Sequence, residues 1–340
     1  MMTDEIHSSS KRHIAPFRAA LYDCDAARLP AQLRAVFAPD CQIHLAFPFE
    51  DLDGADALYE EAYLPLLTAM PDLERRDFIV TAGESQGAHW VGCAGHYMGV
   101  FEKPWLDIPP TRHVTAMRYH EFFRIEAGQV VEMQALWDIP QVMMQADAWP
   151  LSPSLGVEWV VMGPARADGI VSGPYDPQRS AASKNLVADM LLALKRSPQG
   201  AAAMELDKYW HPKMMWYGPA GIGSMRRISG FRHWHQIPFL KAMPDRTTAT
   251  DTGILYGDGD YVGFTAWPGM KMTITGDGWL GIAPGQQQIA MRSLDFWRCE
   301  AGMIRENWVL VDLLHVYDQI GVDVFERMRE LTPARQPGRL

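Results

Sequence analysis

Ala116-Met117-Arg118, Phe122, Arg124, Glu126-Ala127-Gly128, Glu132 and Asp138 recur as Ala290-Met291-Arg292, Phe296, Arg298, Glu300-Ala301-Gly302, Glu306 and Asp312, each pair 174 positions apart (290 − 116). A constant offset over so many positions marks a duplicated structural unit. Upstream, Trp105-Leu106, Ile108 and Pro110 match Trp279-Leu280, Ile282 and Pro284 at the same spacing. Ala69-Met70-Pro71-Asp72 matches Ala242-Met243-Pro244-Asp245 one residue closer, a difference that a loop absorbs. The first copy therefore occupies about residues 13–150 and the second about 184–331. Between them, 151–183 is rich in Pro, Gly, Ser and Ala and reads as a linker. Its apolar run Val157-Glu158-Trp159-Val160-Val161-Met162 predicts packing on one of the repeats.

Within each copy, helical periodicity comes first: Phe17, Leu21, Leu33 and Val36, then Leu58, Tyr59, Ala62 and Leu66; in the second copy Leu186, Met190 and Leu194, then Phe231, Trp234, Phe239 and Leu240. Strand-like stretches follow at 76–82, 88–101, 112–125 and 129–138, with Ala127-Gly128 and Ala301-Gly302 turning the last hairpin. Helices followed by a mostly antiparallel sheet predict an α+β fold, with the helices on one side of a curved sheet.

Composition bounds the function. At 340 residues the chain has room for about two domains. With 31 Lys and Arg against 41 Asp and Glu, its net charge of −10 repels phosphate backbones and anionic lipid, so neither nucleic acid nor a membrane is an expected partner. Four scattered cysteines, Cys24, Cys41, Cys93 and Cys299, point to a reducing compartment, and no apolar run suits a signal or a membrane span; a cytoplasmic location is expected. Gly218-Pro219-Ala220-Gly221-Ile222-Gly223 lacks the third glycine of a dinucleotide fingerprint, and His233-x-His235 cannot converge on a metal from one helix. No cofactor and no metal are expected.

Gly95-His96-Tyr97-Met98-Gly99-Val100-Phe101, Ile108-Pro109-Pro110-Thr111, the run from Phe123-Arg124 through Gly128 to Glu132, and the closing Asp138 resemble the SnoaL-like polyketide cyclases (ester cyclases) of the nuclear transport factor two-like superfamily. In the second copy Gly276 to Pro284 and Glu306-x-Trp308-x-x-x-Asp312 resemble the same pattern. The resemblance implies two cone-shaped α+β barrels in tandem, each wrapped around an apolar pocket. It further implies that Asp138 or Asp312 acts as a general acid/base in an intramolecular aldol closure without metal or cofactor.

Such chemistry needs a carboxyl group shielded from water, so that its pKa rises from about 3.9 into the range of proton transfer. Trp137 and Leu136 beside Asp138, and Leu310 and Val311 beside Asp312, can supply the shielding; the bland alternative for each aspartate is a helix N-cap. Strand alternation puts Gln134 and Leu136 on the side of Asp138, and Trp308 and Leu310 on that of Asp312. Glu121 and Asp295 on the preceding strand are read as second pocket carboxylates, against the bland alternative of solvent-facing partners of Arg124 and Arg298. His96 is a candidate to polarise a carbonyl, with Thr273 in its place in the second copy. Candidate substrate-lining residues are His44, Trp105, Tyr119, Gln134, Trp137, Tyr217, His235, Trp279 and Trp308.

The expected partner is a small apolar ligand or substrate, and the expected function is acid/base chemistry on a carbonyl compound, by cyclisation, isomerisation or a lyase step. A non-catalytic binding protein and an epoxide hydrolase are the alternatives. For assembly, the repeats are expected to face each other as a pseudo-twofold pair that buries Phe122 and Phe296, and the whole chain can form a homodimer.

Overall fold

The computed structural model describes residues 2–247 and 253–335. Each repeat builds one six-stranded sheet. The first contains β1 (Phe37–Leu45), β2 (Asp51–Asp53), β3 (Glu74–Ser85), β4 (Ala88–Val100), β5 (Val114–Glu126) and β6 (Gln129–Trp137) in the order β2-β1-β6-β5-β4-β3. The second contains β7 (Trp210–Tyr217), β8 (Met225–Arg226), β9 (Ile254–Asp258), β10 (Tyr261–Thr273), β11 (Gln288–Glu300) and β12 (Met303–Val311) in the order β8-β7-β12-β11-β10-β9. Both are α+β units of the expected kind. Neither sheet closes, because its two end strands do not pair, so the cones are open. All pairings are antiparallel except β1 with β6 and β7 with β12, whose first strands the sequence reading did not separate from the preceding helix.

Local chemistry explains the shared irregularities. At Ala127-Gly128 and Ala301-Gly302 both turn residues have positive φ, the two-residue turn whose twist matches the flanking strands. Each long helix breaks into a π turn, at Leu58–Tyr63 and Arg232–Gln236. Pro65 and Pro238 follow directly, and the wider turn accommodates a ring that has no N–H to donate and that crowds the carbonyl four residues back.

The two sheets pack back to back. Phe122 and Phe296, equivalent residues of the two repeats, stack at 4.9 Å with their planes 12° apart, and both are fully buried. Contact between equivalent residues places a local twofold axis between them. Gly92 makes room: a Cβ there would meet the Tyr256 hydroxyl at 2.2 Å and both phenyl rings at 2.9 Å. His120 Nδ1 lies 2.7 Å from the carbonyl of Leu294, and Thr265 donates to Gln134 at 2.5 Å.

The last aspartate of each repeat completes the pairing reciprocally. Asp138 accepts the backbone N–H of Ala220 at 3.1 Å and faces Arg118 at 3.6 Å; Asp312 accepts that of Phe47 at 3.0 Å and faces Arg292 at 3.1 Å.

The segment between the repeats lies along both. Val157 bridges to Ser224, Val80 pairs with Gly169 and Val171, and the Met162 carbonyl accepts from the Trp308 indole. Only Val161 of its apolar run is buried; Val157, Trp159, Val160 and Met162 stay exposed, contrary to the expected covering, because the backbone pairs through its amides and leaves these side chains outward. The helix Pro177–Leu194 begins at Asp176, whose carboxylate accepts from the amides of Gln178 and Arg179, so the expected junction at 183/184 falls inside it. No helix among the described residues is long and apolar enough to cross a membrane.

Truncating either ring, Phe122→Ala or Phe296→Ala, is expected to cost about 3–5 kcal/mol of unfolding free energy. Because the rings touch, the double variant should lose about 1 kcal/mol less than the sum of the two. Urea denaturation of the three variants measures both; costs near 0.5 kcal/mol, the size of a surface substitution, would contradict a packed inter-repeat face.

Candidate active site

One inserted residue decides which face carries the chemistry. From the turn, Glu126 pairs with Gln129 and Ile125 with Val130, but Arg124 then pairs with Glu132, leaving Val131 as a bulge. Beyond it Glu121 lies opposite Ala135, not Gln134, so Glu121 and Asp138 are on opposite faces. The second repeat repeats the device, with Arg305 bulged and Asp295 opposite Val309. The expectation that Glu121 shares a pocket with Asp138, and Asp295 with Asp312, is therefore corrected. Asp138 and Asp312 lie between the repeats, around a void of only about 10 Å³, roughly the room of one water. Burial raises both carboxyl groups, and Arg118 and Arg292 oppose the rise. Asp312 also caps its helix through the His315 amide at 3.1 Å; the Asp138 side chain makes no such bond.

On the helix-covered face the first repeat is filled. Glu121 accepts from Arg75 at 2.7 Å, from the Tyr97 hydroxyl at 2.7 Å and from the Trp137 indole at 3.2 Å, and Tyr63 meets Tyr97 at 3.0 Å. Tyr119 donates to Asp77 at 2.7 Å, and Asp77 is held low by Arg75 and Arg18 against its burial. Glu121 is thus paired to a buried guanidinium with both oxygens engaged, inside a core that leaves no room for a ligand beside it.

The second repeat has the same walls with the plug removed. Ladder pairing equates Tyr97 with Met270, since their partners Met117 and Met291 are equivalent; likewise Trp137 becomes Val311, and the 173-residue offset of the helices makes Tyr63 Gln236. Smaller side chains leave a cavity of about 150 Å³. Trp216, Phe231, Phe239, Phe264, Trp297 and Val309 supply apolar walls, and Asp295 lies among them. Burial pushes the Asp295 carboxyl up to about 7, and its hydrogen-bond partner among the described residues is Ser293 Oγ at 2.8 Å. His235 stacks on Trp216 at 4.4 Å; burial, with Arg246 nearby, pushes it down to about 3, so it is neutral. Trp279 packs edge-on against Phe239, next to this cavity.

The remaining expected site residues lie elsewhere. His96, on the inter-repeat face, is pushed by burial to about 3, and its Nε2 is buried without a partner. Thr273 is not its counterpart: Thr273 donates its amide to Asp245 as Val100 does to Asp72, so Thr273 matches Val100, and the bulge between Ala266 and Met270 stands where His96 would. Gln134, Tyr217 and Trp308 line the inter-repeat face, with Tyr217 stacked on Trp308 and hydrogen-bonded to Glu306. His44 pairs with exposed Asp51 at 2.6 Å, and Trp105 packs against Phe49 under a loop of the first repeat. Tyr119 and Trp137 belong to the filled core. No group of three or more His, Cys, Asp or Glu side chains among the described residues could hold a metal ion. The sequence reading missed Trp216, Gln236, Arg246, Ser293, Trp297 and Asn307; alternation from Asp295 marks Ser293 and Trp297, Asn307 required the Arg305 bulge, and the others required the helix, the turn after it and β7 to be placed.

The same strand position thus carries opposite energetics in the two repeats. Glu121→Gln leaves the buried Arg75 with Asp77 as its one remaining carboxylate and is expected to lower stability by about 1–3 kcal/mol. Asp295 is raised from 3.8 to about 7 in the fold. Its protonated form stabilises the fold below pH 4, and that contribution is lost as the pH rises through 7, at most about 4 kcal/mol at 1.36 kcal/mol per unit. Asp295→Asn should therefore be more stable than the parent at pH 8 and indistinguishable from it near pH 4. Chemical denaturation at the two pH values tests both signs.

The model of the SnoaL-like polyketide cyclase family matches residues 17–146 and again 188–320. Among solved structures, a SnoaL-like protein of Jannaschia sp. CCS1 is 20% identical with a TM-score of 0.34, over 40% of this chain and 93% of that one. Wild-type IdmH of Streptomyces antibioticus gives 20% and 0.33 over 42% and 99%. An NTF2-like protein of Burkholderia thailandensis E264 gives 20% and 0.31 over 40% and 95%. No curated protein matches the sequence. With its model matched twice, across most of both repeats, the chain belongs to the SnoaL-like polyketide cyclase family.

Proposed function

We propose that the protein is a cofactor-independent acid/base enzyme with one active site, the cavity of the second repeat. Its substrate is a small, largely apolar carbonyl compound, and the reaction is an aldol-type cyclisation, an isomerisation or a lyase step. The observation that carries this reading is Asp295, a carboxyl group held near neutrality in an apolar cavity. A base with its pKa near the working pH combines a sizeable ionised fraction with enough basicity to accept a carbon-bound proton.

The chemistry follows from the surroundings. Ser293 donates to Oδ2 and orients the carboxylate, leaving Oδ1 to take the proton α to the substrate carbonyl. The electron pair of that C–H bond moves into an enolate, and the neutral acid then returns the proton to the new alkoxide or to a second carbon. His235, uncharged at physiological pH, is available to donate to the enolate oxygen. Epoxide opening would need polar groups that hold a water against the carboxylate; the single Ser293 contact favours proton transfer on a bound carbonyl. The first repeat, its carboxylate neutralised by Arg75, serves as a scaffold.

Exchange of α-protons for deuterium, followed by NMR over a panel of cyclic ketones and 1,3-dicarbonyl compounds, tests the reading and requires only the α-acidic carbonyl group common to the whole class. Wild-type exchange should rise with pH and level off above about 7. Asp295→Asn should lower it by about 10²–10⁴-fold, while Asp138→Asn keeps it wherever that variant is folded. Undiminished exchange in Asp295→Asn would assign the chemistry elsewhere.

A further inference from the structure

Arg246 lines the same cavity and pairs with no carboxylate among the described residues. Its contacts include the Leu194 carbonyl, 3.3 Å from Nη2, and the face of Phe239, 5.7 Å from the guanidinium carbon; Nε is buried with no hydrogen-bond partner. Burial pulls the guanidinium below its ordinary value, and among the described residues no neighbouring anion opposes that pull. In this respect the half-buried Arg246 differs from the fully buried arginines. Arg75, Arg118, Arg292 and Arg298 each face an aspartate or glutamate within 3.6 Å.

The position is fixed by a shared turn. Asp72 and Asp245 each accept a backbone amide from the adjacent strand, from Val100 at 2.7 Å and from Thr273 at 2.8 Å. The next residue is Leu73 in the first repeat, fully buried in its core, and Arg246 in the second. A guanidinium thus stands where the fold accepts leucine, at the wall of an apolar cavity. Leaving it unpaired costs free energy unless a ligand supplies the anion.

We infer that the compound bound in this cavity carries a carboxylate, held by Arg246, with its apolar body among Trp216, Phe231 and Phe239 and its reacting carbonyl at Asp295. The inference rests on the cavity being a substrate site and adds the class of substrate: a small apolar keto acid or its equivalent. A cavity of about 150 Å³ suits a body near the size of one six-membered ring. Arg246 is a specificity residue in this scheme. The buried, unpaired indole N–H groups of Trp210 and Trp297, which also line the cavity, provide further donors to a carboxylate or carbonyl.

The test uses the full-length protein and three acid and amide pairs: benzoate with benzamide, phenylacetate with phenylacetamide, and cyclohexanecarboxylate with its amide. Titration calorimetry at pH 6 should find at least one acid bound tenfold or more tighter than its amide. Arg246→Gln and Arg246→Leu, checked for unchanged circular dichroism, should bring that pair within twofold while amide affinity is kept. Equal affinity in the wild type, a preference that survives both substitutions, or no acid binding at millimolar concentration overturns the inference; an arginine that only steadies a transient enolate would give the first of these. Asp295→Asn separates this result from the catalytic reading, since it should abolish proton exchange and retain the preference for acids.

Discussion

Everything in this molecule is arranged around one sheet face pressed against another. Each repeat has two sheet faces to cover; its own helices cover one, and the other repeat covers the second through the Phe122–Phe296 stack and the reciprocal aspartate clasps. Strand alternation then leaves no freedom. Residues in phase with Phe122 and Phe296 serve assembly, and those in phase with Glu121 and Asp295 face the helix-covered interior of each repeat. His96, Asp138 and Asp312 have side chains suited to catalysis, but they lie on the assembly side.

Much of this was legible in the sequence. The 174-residue offset located both sheets, the Ala-Gly turns located the hairpins, and the aromatic phase of Phe122 and Phe296 located the inter-repeat face. The facing of the carboxylates was not, because a single bulged residue, Val131 or Arg305, reverses the phase of everything beyond it, and nothing in a Val or an Arg announces a bulge. Nor was the missing plug, since an empty volume depends on side chains from four separate segments. Tyr63 and Trp137 become Gln236 and Val311 at the two repeat offsets, but the match of Tyr97 with Met270 is shown only by the ladder registers.

The contrast between Glu121 and Asp295 shows how little separates a structural ion from a reactive group. Both sit at the same place on the same strand. One is surrounded by an arginine and two hydrogen-bond donors from aromatic residues, the other by hydrocarbon and a single serine. Glu121 spends its oxygens on its neighbours, whereas burial with few donors raises the Asp295 carboxyl at a cost in stability. Duplication within one chain lets the two choices coexist, a filled core in the first repeat and an open cavity in the second.

The N-terminal helix, Met2–His13, carries a consequence for how the chain comes to its native state. Lys11 forms an ion pair at 2.8 Å with Asp258 on β9, 247 positions later, and the same carboxylate accepts the amide of Ala82 on β3 at 2.9 Å. The first helix is thus fastened by a residue among the later parts of the chain to emerge during synthesis. The helix also rests on β3, where His7 Nδ1 lies 3.0 Å from the Ala82 carbonyl, but this last fastening must wait for the second repeat, and contacts of such long sequence separation are closed late and slowly. A nascent chain halted before residue 258 would hold a first sheet whose outward face, Trp90, Phe122 and Leu136 included, is uncovered, and that interval is when the protein is most exposed to misassociation with other chains.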